Sequence, residues 1–208
     1  MIAIIDYGVG NLRSIQNMIT RVGASAVITS MPEEIERADK LILPGVGAFG
    51  KGMRNLTATG LVPLLREKVL EQKTPILGIC LGMQLFGLWS EENDIKGLSW
   101  ISAKTVRFRF SDSGLKRPVP HMGWNFVQMK SPDLAGLIIG ESENPRFYFV
   151  HSYHLECDDD RIVMATTSYG YDFPAIIKQG NILGVQFHPE KSHKHGMQVL
   201  TNFSKLLT

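Results

Sequence analysis

Cysteine is scarce in this chain, with only Cys80 and Cys157 among 208 residues. Two thiols are too few for a disulfide scaffold. The N-terminus "MIAIIDYGVG" has no basic leader and no small-residue cleavage site. It is expected to be a first strand, and the protein to be cytoplasmic. Long apolar runs are also missing, so no membrane span is expected. An excess of one charge is absent too, with 22 Lys and Arg against 20 Asp and Glu and no basic run. That argues against nucleic acid as a partner. There is neither an internal repeat nor a low-complexity segment. What is present is 44% apolar sequence, enough for one globular domain over residues 1–208 with its own core.

The first half alternates between strand and helix patterns. "MIAIID", "SAVIT", "KLILPG" and "TPILGIC" read as short buried strands. Between them, Leu12, Ile15, Met18, Ile19 and Val22 recur at helical spacing. "PEEIERA", opened by Pro32, is a short helix; "LVPLLREKVL" and "LGMQLFGLW" are two more. Beyond residue 98 the texture becomes strand-rich, through "SWISAKTVRFRF", "GWNFVQM", "RFYFVHSYHLEC", "RIVMATTSY", "FPAIIKQG" and "ILGVQFHPE". A closing amphipathic helix spaces Met197, Leu200, Phe203 and Leu207. The expected fold is therefore α/β: a mostly parallel central sheet flanked by helices, with an added antiparallel, strand-rich portion in the second half.

The chemistry concentrates in "GICLG". Gly78 and Gly82 flank Cys80 where a strand gives way to a helix. That is the pattern of a nucleophile elbow, in which a sharp turn presents the side chain at the sheet's C-terminal edge. A helix N-terminus just beyond favours a thiolate and leaves the Leu81 N–H for an oxyanion. A base is then needed. In "GVQFHPEKS" an apolar strand ends at His188, and Glu190, two residues on, falls on the same side of extended backbone to hold the imidazole tautomer.

Other candidates fall away. Cys157 precedes three aspartates, which oppose thiolate formation. His151 with His154, and His193 with His195, lack the cysteines or acids of a metal set, and His121 shows no partner. "DYGVGN" has Arg13 where a dinucleotide fingerprint needs glycine, and no Lys-Ser or Lys-Thr pair follows "LPGVGAFG". Neither a cofactor nor a metal is called for. The glycine loop instead suits an oxyanion donor beside Cys80, because its two glycines free the peptide before Val46 to flip.

Together, "GICLGMQ", "FHPEKS" and the glycine loop "PGVG" resemble the class I (triad) glutamine amidotransferases over essentially the whole chain. "DYGVGN", "PGVGAFG", "PHMGWN" and "FVHSY" bring it closer to the family of glutaminase subunits of imidazole glycerol phosphate synthases. The resemblance implies that Cys80, His188 and Glu190 are nucleophile, base and orienter, with the N–H groups of Val46 and Leu81 as the oxyanion hole. It implies that Gly47, Gln84, Glu92, Ser152 and Tyr153 bind glutamine. Asn11, Trp124, Tyr148 and Lys191 would meet a (β/α)8-barrel cyclase subunit in a heterodimer, to which ammonia passes. "GLSWISAKTVRFRF" and "SHKHGM" also resemble paralogues that supply ammonia for sugar amination in bacterial surface-polysaccharide synthesis. A stand-alone cysteine hydrolase and a non-catalytic regulatory subunit are the rival readings.

Overall fold

The computed structural model describes residues 1–110, 117–130 and 144–206. The first half lays down β1 (Ile2–Ile5), α1 (Leu12–Arg21), β2 (Ala26–Thr29), α2 (Pro32–Glu36) and β3 (Lys40–Leu43). Then come α3 (Phe49–Ala58), α4 (Val62–Arg66), β4 (Ile76–Ile79) and α5 (Leu81–Leu85). Two short strands follow, β5 (Trp89–Ser90) and β6 (Ile95–Lys96), then β7 (Ala103–Arg107), β8 (His121–Phe126) and β9 (Gln128–Met129). Next are β10 (Arg146–His151), β11 (Tyr153–Cys157), β12 (Val163–Ser168), β13 (Asp172–Gln179) and β14 (Ile182–Val185). A 3-10 turn at Pro189–Lys191 leads into α6 (His193–Lys205).

The main sheet has the order β2-β1-β3-β4-β14-β13-β12-β9. Its first five strands are mutually parallel, and the remaining pairings are antiparallel. This is the expected fold with one consequence for function: β14, near the end of the chain, returns to lie parallel beside β4. Alternation along the strands divides the core between the two faces. Ala3, Ile5, Leu41, Leu43 and Ile76 meet Ile35, Leu56 and Leu65 on one face. Ile2, Ile4, Ile42, Leu77 and Ile79 meet Ile15 and Ile19 of α1, with Val199, Leu200 and Phe203 of α6, on the other. Each fully buried aliphatic side chain stabilises by roughly 1.5–3 kcal/mol.

Several elements differ from the sequence expectation, "GWNFVQM" among them, which is split between β8, paired with β10, and β9, paired with β12. The segment after "PGVG" forms α3, although Gly50 and Gly52 are poor helix formers. Both pack closely against side-chain tips: a Cβ on Gly50 would lie 2.7 Å from Ile95 Cδ1, and one on Gly52 would lie 2.9 Å from Leu81 Cδ2. The helix after Cys80 stops at Leu85, and Trp89 already belongs to β5, which pairs with β6 and β7. The "LVPLLREKVL" helix begins as α-helix at Val62–Arg66 and widens into a π-helical turn at Glu67–Glu71. "RFYFVHSYHLEC" is two strands broken at Ser152: β10 pairs with β8, and β11 pairs with β7. In the closing helix Val199 joins Leu200 and Phe203 in the core, and Leu207 lies outside the described residues.

Candidate active site

β4 and β14 set the site. Their register pairs Gly78 with Gly184 and Ile79 with Val185, and the Cys80 N–H donates to Val185 O at 2.8 Å. Cys80 itself takes φ 52°, ψ −107°, a left-handed conformation that a non-glycine residue adopts only under constraint. The flanking glycines have another task. A Cβ on Gly82 would sit 1.8 Å from Leu43 O, and one on Gly78 would sit 2.7 Å from Met83 Cα. Their absent side chains let α5 press onto β3 and β4, so the turn between them has only one residue in which to reverse direction. That residue is the cysteine.

Cys80 opens onto a cleft of about 280 Å³. Its walls bring together Gly47, Leu81, Gln84, Glu92, Ser152 and Tyr153, all singled out in the sequence, with Pro120, Val150 and His151, which were not assigned to it. Glu92 also accepts from the Phe49 N–H at 2.7 Å through Oε2, placing its charge at the start of α3. Val46 is 39% exposed, and Gly47 beside it has φ 95°. Gly47 is the loop residue that reaches the cleft wall. Tyr7, buried beneath the same loop, donates its hydroxyl to Pro44 O. Burial, and then negative charge at Cys80, push that phenol well above its ordinary pKa.

His188 and Glu190 lie buried at the end of β14. His188 Nδ1 is 2.9 Å from Glu190 Oε1. Nε2 makes no hydrogen bond of normal geometry among the described residues, yet it feels the sulfur. Burial alone would lower this histidine's pKa; negative charge and hydrogen bonding at Cys80, then Glu190, outweigh it and raise the value to about 10. A protonated imidazole and a charged sulfur therefore stabilise one another here. Cys157, by contrast, is pushed up to about 12, by burial first and the neighbouring aspartates second.

Three further histidines, His121, His151 and His154, are buried, and His151 lines the cleft. His121, expected to have no partner, is bonded on both ring nitrogens. Asn125 Nδ2 lies 3.2 Å from its Nε2, and its Nδ1 lies 3.1 Å from His151 Nε2. His151 Nδ1 is 2.8 Å from Tyr153 O. The Asn125 amide donates, which fixes both tautomers in sequence and requires both rings to be neutral. Burial holds His121 down to about 4 and His151 well below its usual value. His154 pairs with the Tyr171 hydroxyl at 2.8 Å. No group of three or more His, Cys, Asp or Glu is arranged to hold a metal among the described residues.

An aromatic face adjoins the site. Met122, Trp124 and Phe126 on β8 are exposed, at 62%, 39% and 53%. Trp124 stacks on His193 and meets Tyr148 edge-on at 6.1 Å, while Lys191 Nζ lies 5.6 Å from the centre of the Tyr148 ring. Asn11 precedes α1, which packs against the turn carrying Lys191. Ser192 ties this face to the base: its hydroxyl accepts from the Tyr148 N–H at 3.0 Å and donates to His188 O at 2.6 Å.

No helix among the described residues is long and apolar enough to cross a membrane. The family model for class I glutamine amidotransferases matches residues 3–206. The chain is 53% identical over 206 residues to imidazole glycerol phosphate synthase subunit HisH 2 of Methanococcus maripaludis, covering 99% of each. It is 49% identical to subunit HisH 2 of Pseudomonas aeruginosa, covering 100% of each. A crystal structure of a glutamine amidotransferase superposes with a TM-score of 0.74 over 98% of this chain and 99% of that one, at 18% identity.

Proposed function

The chain belongs to the class I glutamine amidotransferases, and from that premise we propose that it is the glutaminase subunit of an imidazole glycerol phosphate synthase. The observation that carries the proposal is Cys80 held at φ 52° in a cleft wall, with the His188–Glu190 pair just past the end of the adjacent strand. His188 takes the thiol proton, and the sulfur attacks the side-chain carbonyl carbon of glutamine. The Leu81 and Val46 N–H groups receive the negative charge that develops on oxygen. His188 returns its proton to the departing nitrogen, which leaves as ammonia. Water, deprotonated by the same imidazole, then splits the glutamyl thioester to glutamate.

The cleft suits that substrate. Glu92 supplies a carboxylate for the ammonium of glutamine, Ser152 and Tyr153 supply donors for its carboxylate, and Gln84 and Gly47 border its amide. Asn11, Trp124, Tyr148 and Lys191 form the face for a (β/α)8-barrel cyclase, whose products would be imidazole glycerol phosphate and AICAR in histidine biosynthesis. Ammonia released without an acceptor wastes glutamine, so the isolated chain should turn over slowly until the barrel and its substrate favour a flipped peptide before Val46.

The second reading, ammonia for sugar amination, uses the same triad. The two relatives named above both carry the number 2, so the choice of acceptor is worth testing directly. The test is glutamine-dependent product formation by the heterodimer. Formation of imidazole glycerol phosphate supports the first reading; a functional heterodimer that makes none and aminates a sugar supports the second.

A further inference from the structure

Gln186 is a polar residue in an otherwise apolar strand end, "GVQF", and it is fully buried. Buried amides persist where each end has a partner. One end of this one points at the nucleophile: Gln186 Nε2 lies 3.6 Å from Cys80 Sγ, within hydrogen-bond reach of the large sulfur atom. The other end, Oε1, accepts from Gln84 Nε2 at 3.0 Å. Gln84 Nε2 also donates to Tyr153 O at 2.9 Å. An amide can be turned end for end without changing its shape, so its orientation is set by its partners. Here Gln84 can only donate through its nitrogen, which requires Gln186 to offer its oxygen there and its N–H to the sulfur.

We propose that Gln186 is the second hydrogen-bond partner of the catalytic sulfur, stabilising the Cys80 thiolate from the side opposite in role to His188. This rests on Cys80 being the nucleophile. His188 exchanges a proton with the sulfur, whereas Gln186 has none to give at neutral pH and acts only as a fixed dipole. It holds Sγ toward the cleft during attack, and it receives the charge again when the thioester breaks and the thiolate leaves. Gln84, which borders the cleft on which glutamine would bind, keeps that dipole aimed.

The test is the pH dependence of Cys80 alkylation by iodoacetamide in the full chain, read by mass at the Cys80 peptide, with glutaminase activity of the wild-type heterodimer measured in parallel. Gln186→Met keeps the volume and removes the donor. Losing a hydrogen bond to a charged group should move the alkylation midpoint up by about one pH unit. Because a less stabilised thiolate is also more nucleophilic, with a Brønsted slope of about 0.4–0.5, the rate at neutral pH should fall by less than tenfold. Gln186→Glu keeps the acceptor for Gln84 and sets a carboxylate against the sulfur, so its midpoint should move further. Unchanged midpoints in folded variants would overturn the assignment, as would failure of both variants to fold, which would make Gln186 a core residue only. A wild-type heterodimer that does not hydrolyse glutamine would instead overturn the reading of Cys80 on which this rests.

Discussion

His188 Nδ1 lies 2.9 Å from Glu190 Oε1, and each side chain is only 1% exposed. The second carboxylate oxygen of Glu190 has no hydrogen-bond partner among the described residues, so the imidazole carries most of the compensation for burying that acid. His188→Ala removes the proton acceptor and leaves Glu190 unpaired. Glutamine turnover should fall by about 10²–10⁴-fold. Glu190→Gln keeps the shape but lets the ring choose the wrong tautomer, and a smaller loss is expected. Steady-state kcat/KM for the two variants checks the order; a harmless His188→Ala would mean that the base has been misassigned.

Stability should respond to pH on both sides of neutrality. His188 has a raised pKa, about 10, so its contribution is fully present below the unfolded value near 6.5 and is lost as pH rises toward 10. His121 is lowered to about 4, so its contribution is present above about 6.5 and is lost as pH falls toward 4. Melting temperatures between pH 4 and 10 should therefore peak near neutral. In His188→Ala the alkaline limb should flatten. An unchanged alkaline limb in that variant would remove His188 as its cause.

Gly82→Ala tests how the elbow is held. The new Cβ would meet Leu43 O at 1.8 Å, and backbone cannot give way as a side-chain tip can. The expected cost is at least the roughly 1–3 kcal/mol of overpacking, with loss of glutaminase activity as Cys80 shifts. Gly52→Ala, whose new Cβ would press on Leu81 Cδ2 at 2.9 Å, should cost less. Thermal denaturation of the two proteins compares them.

The strand–helix alternation and the elbow were legible because each is local: period-two and 3.6-residue patterns, and two glycines around one cysteine. α3 was not, since Gly50 and Gly52 weaken its helical pattern, and it forms because Phe49 and Leu56 are buried and Glu92, 43 residues away, accepts from the Phe49 N–H. The break at Ser152 was hidden because "RFYFVHSYHLEC" stays strand-like throughout. Only the different partners of β10 and β11 reveal it. Gln84 and Tyr153 line the cleft from the short motifs "GICLGMQ" and "FVHSY", whereas Glu92, which also lines it, was named only through the family resemblance. Gln186 was missed because its contact to Cys80 spans 106 positions. Its one visible sign was a polar residue in an apolar strand.

Trp124→Ala should weaken heterodimer formation without unfolding the chain. The ring is 39% exposed and is held by His193, Tyr148 and Arg146, the arrangement of a rigid aromatic anchor. A central anchor of this kind contributes about 2 kcal/mol or more, so Kd should rise roughly 30-fold. Titration calorimetry with the proposed barrel subunit measures it. Unchanged affinity would move the docking face elsewhere.

Glutamine hydrolysis here requires a covalent bond between Cys80 and the substrate carbon. Treating the heterodimer with a diazoketone analogue of glutamine and locating the adduct by mass tests it directly. The expected result is one adduct per chain, on Cys80 and not on Cys157, with glutamine hydrolysis lost in proportion and protected by excess glutamine. An enzyme that still hydrolyses glutamine with Cys80 fully modified, or as Cys80→Ser, would contradict it.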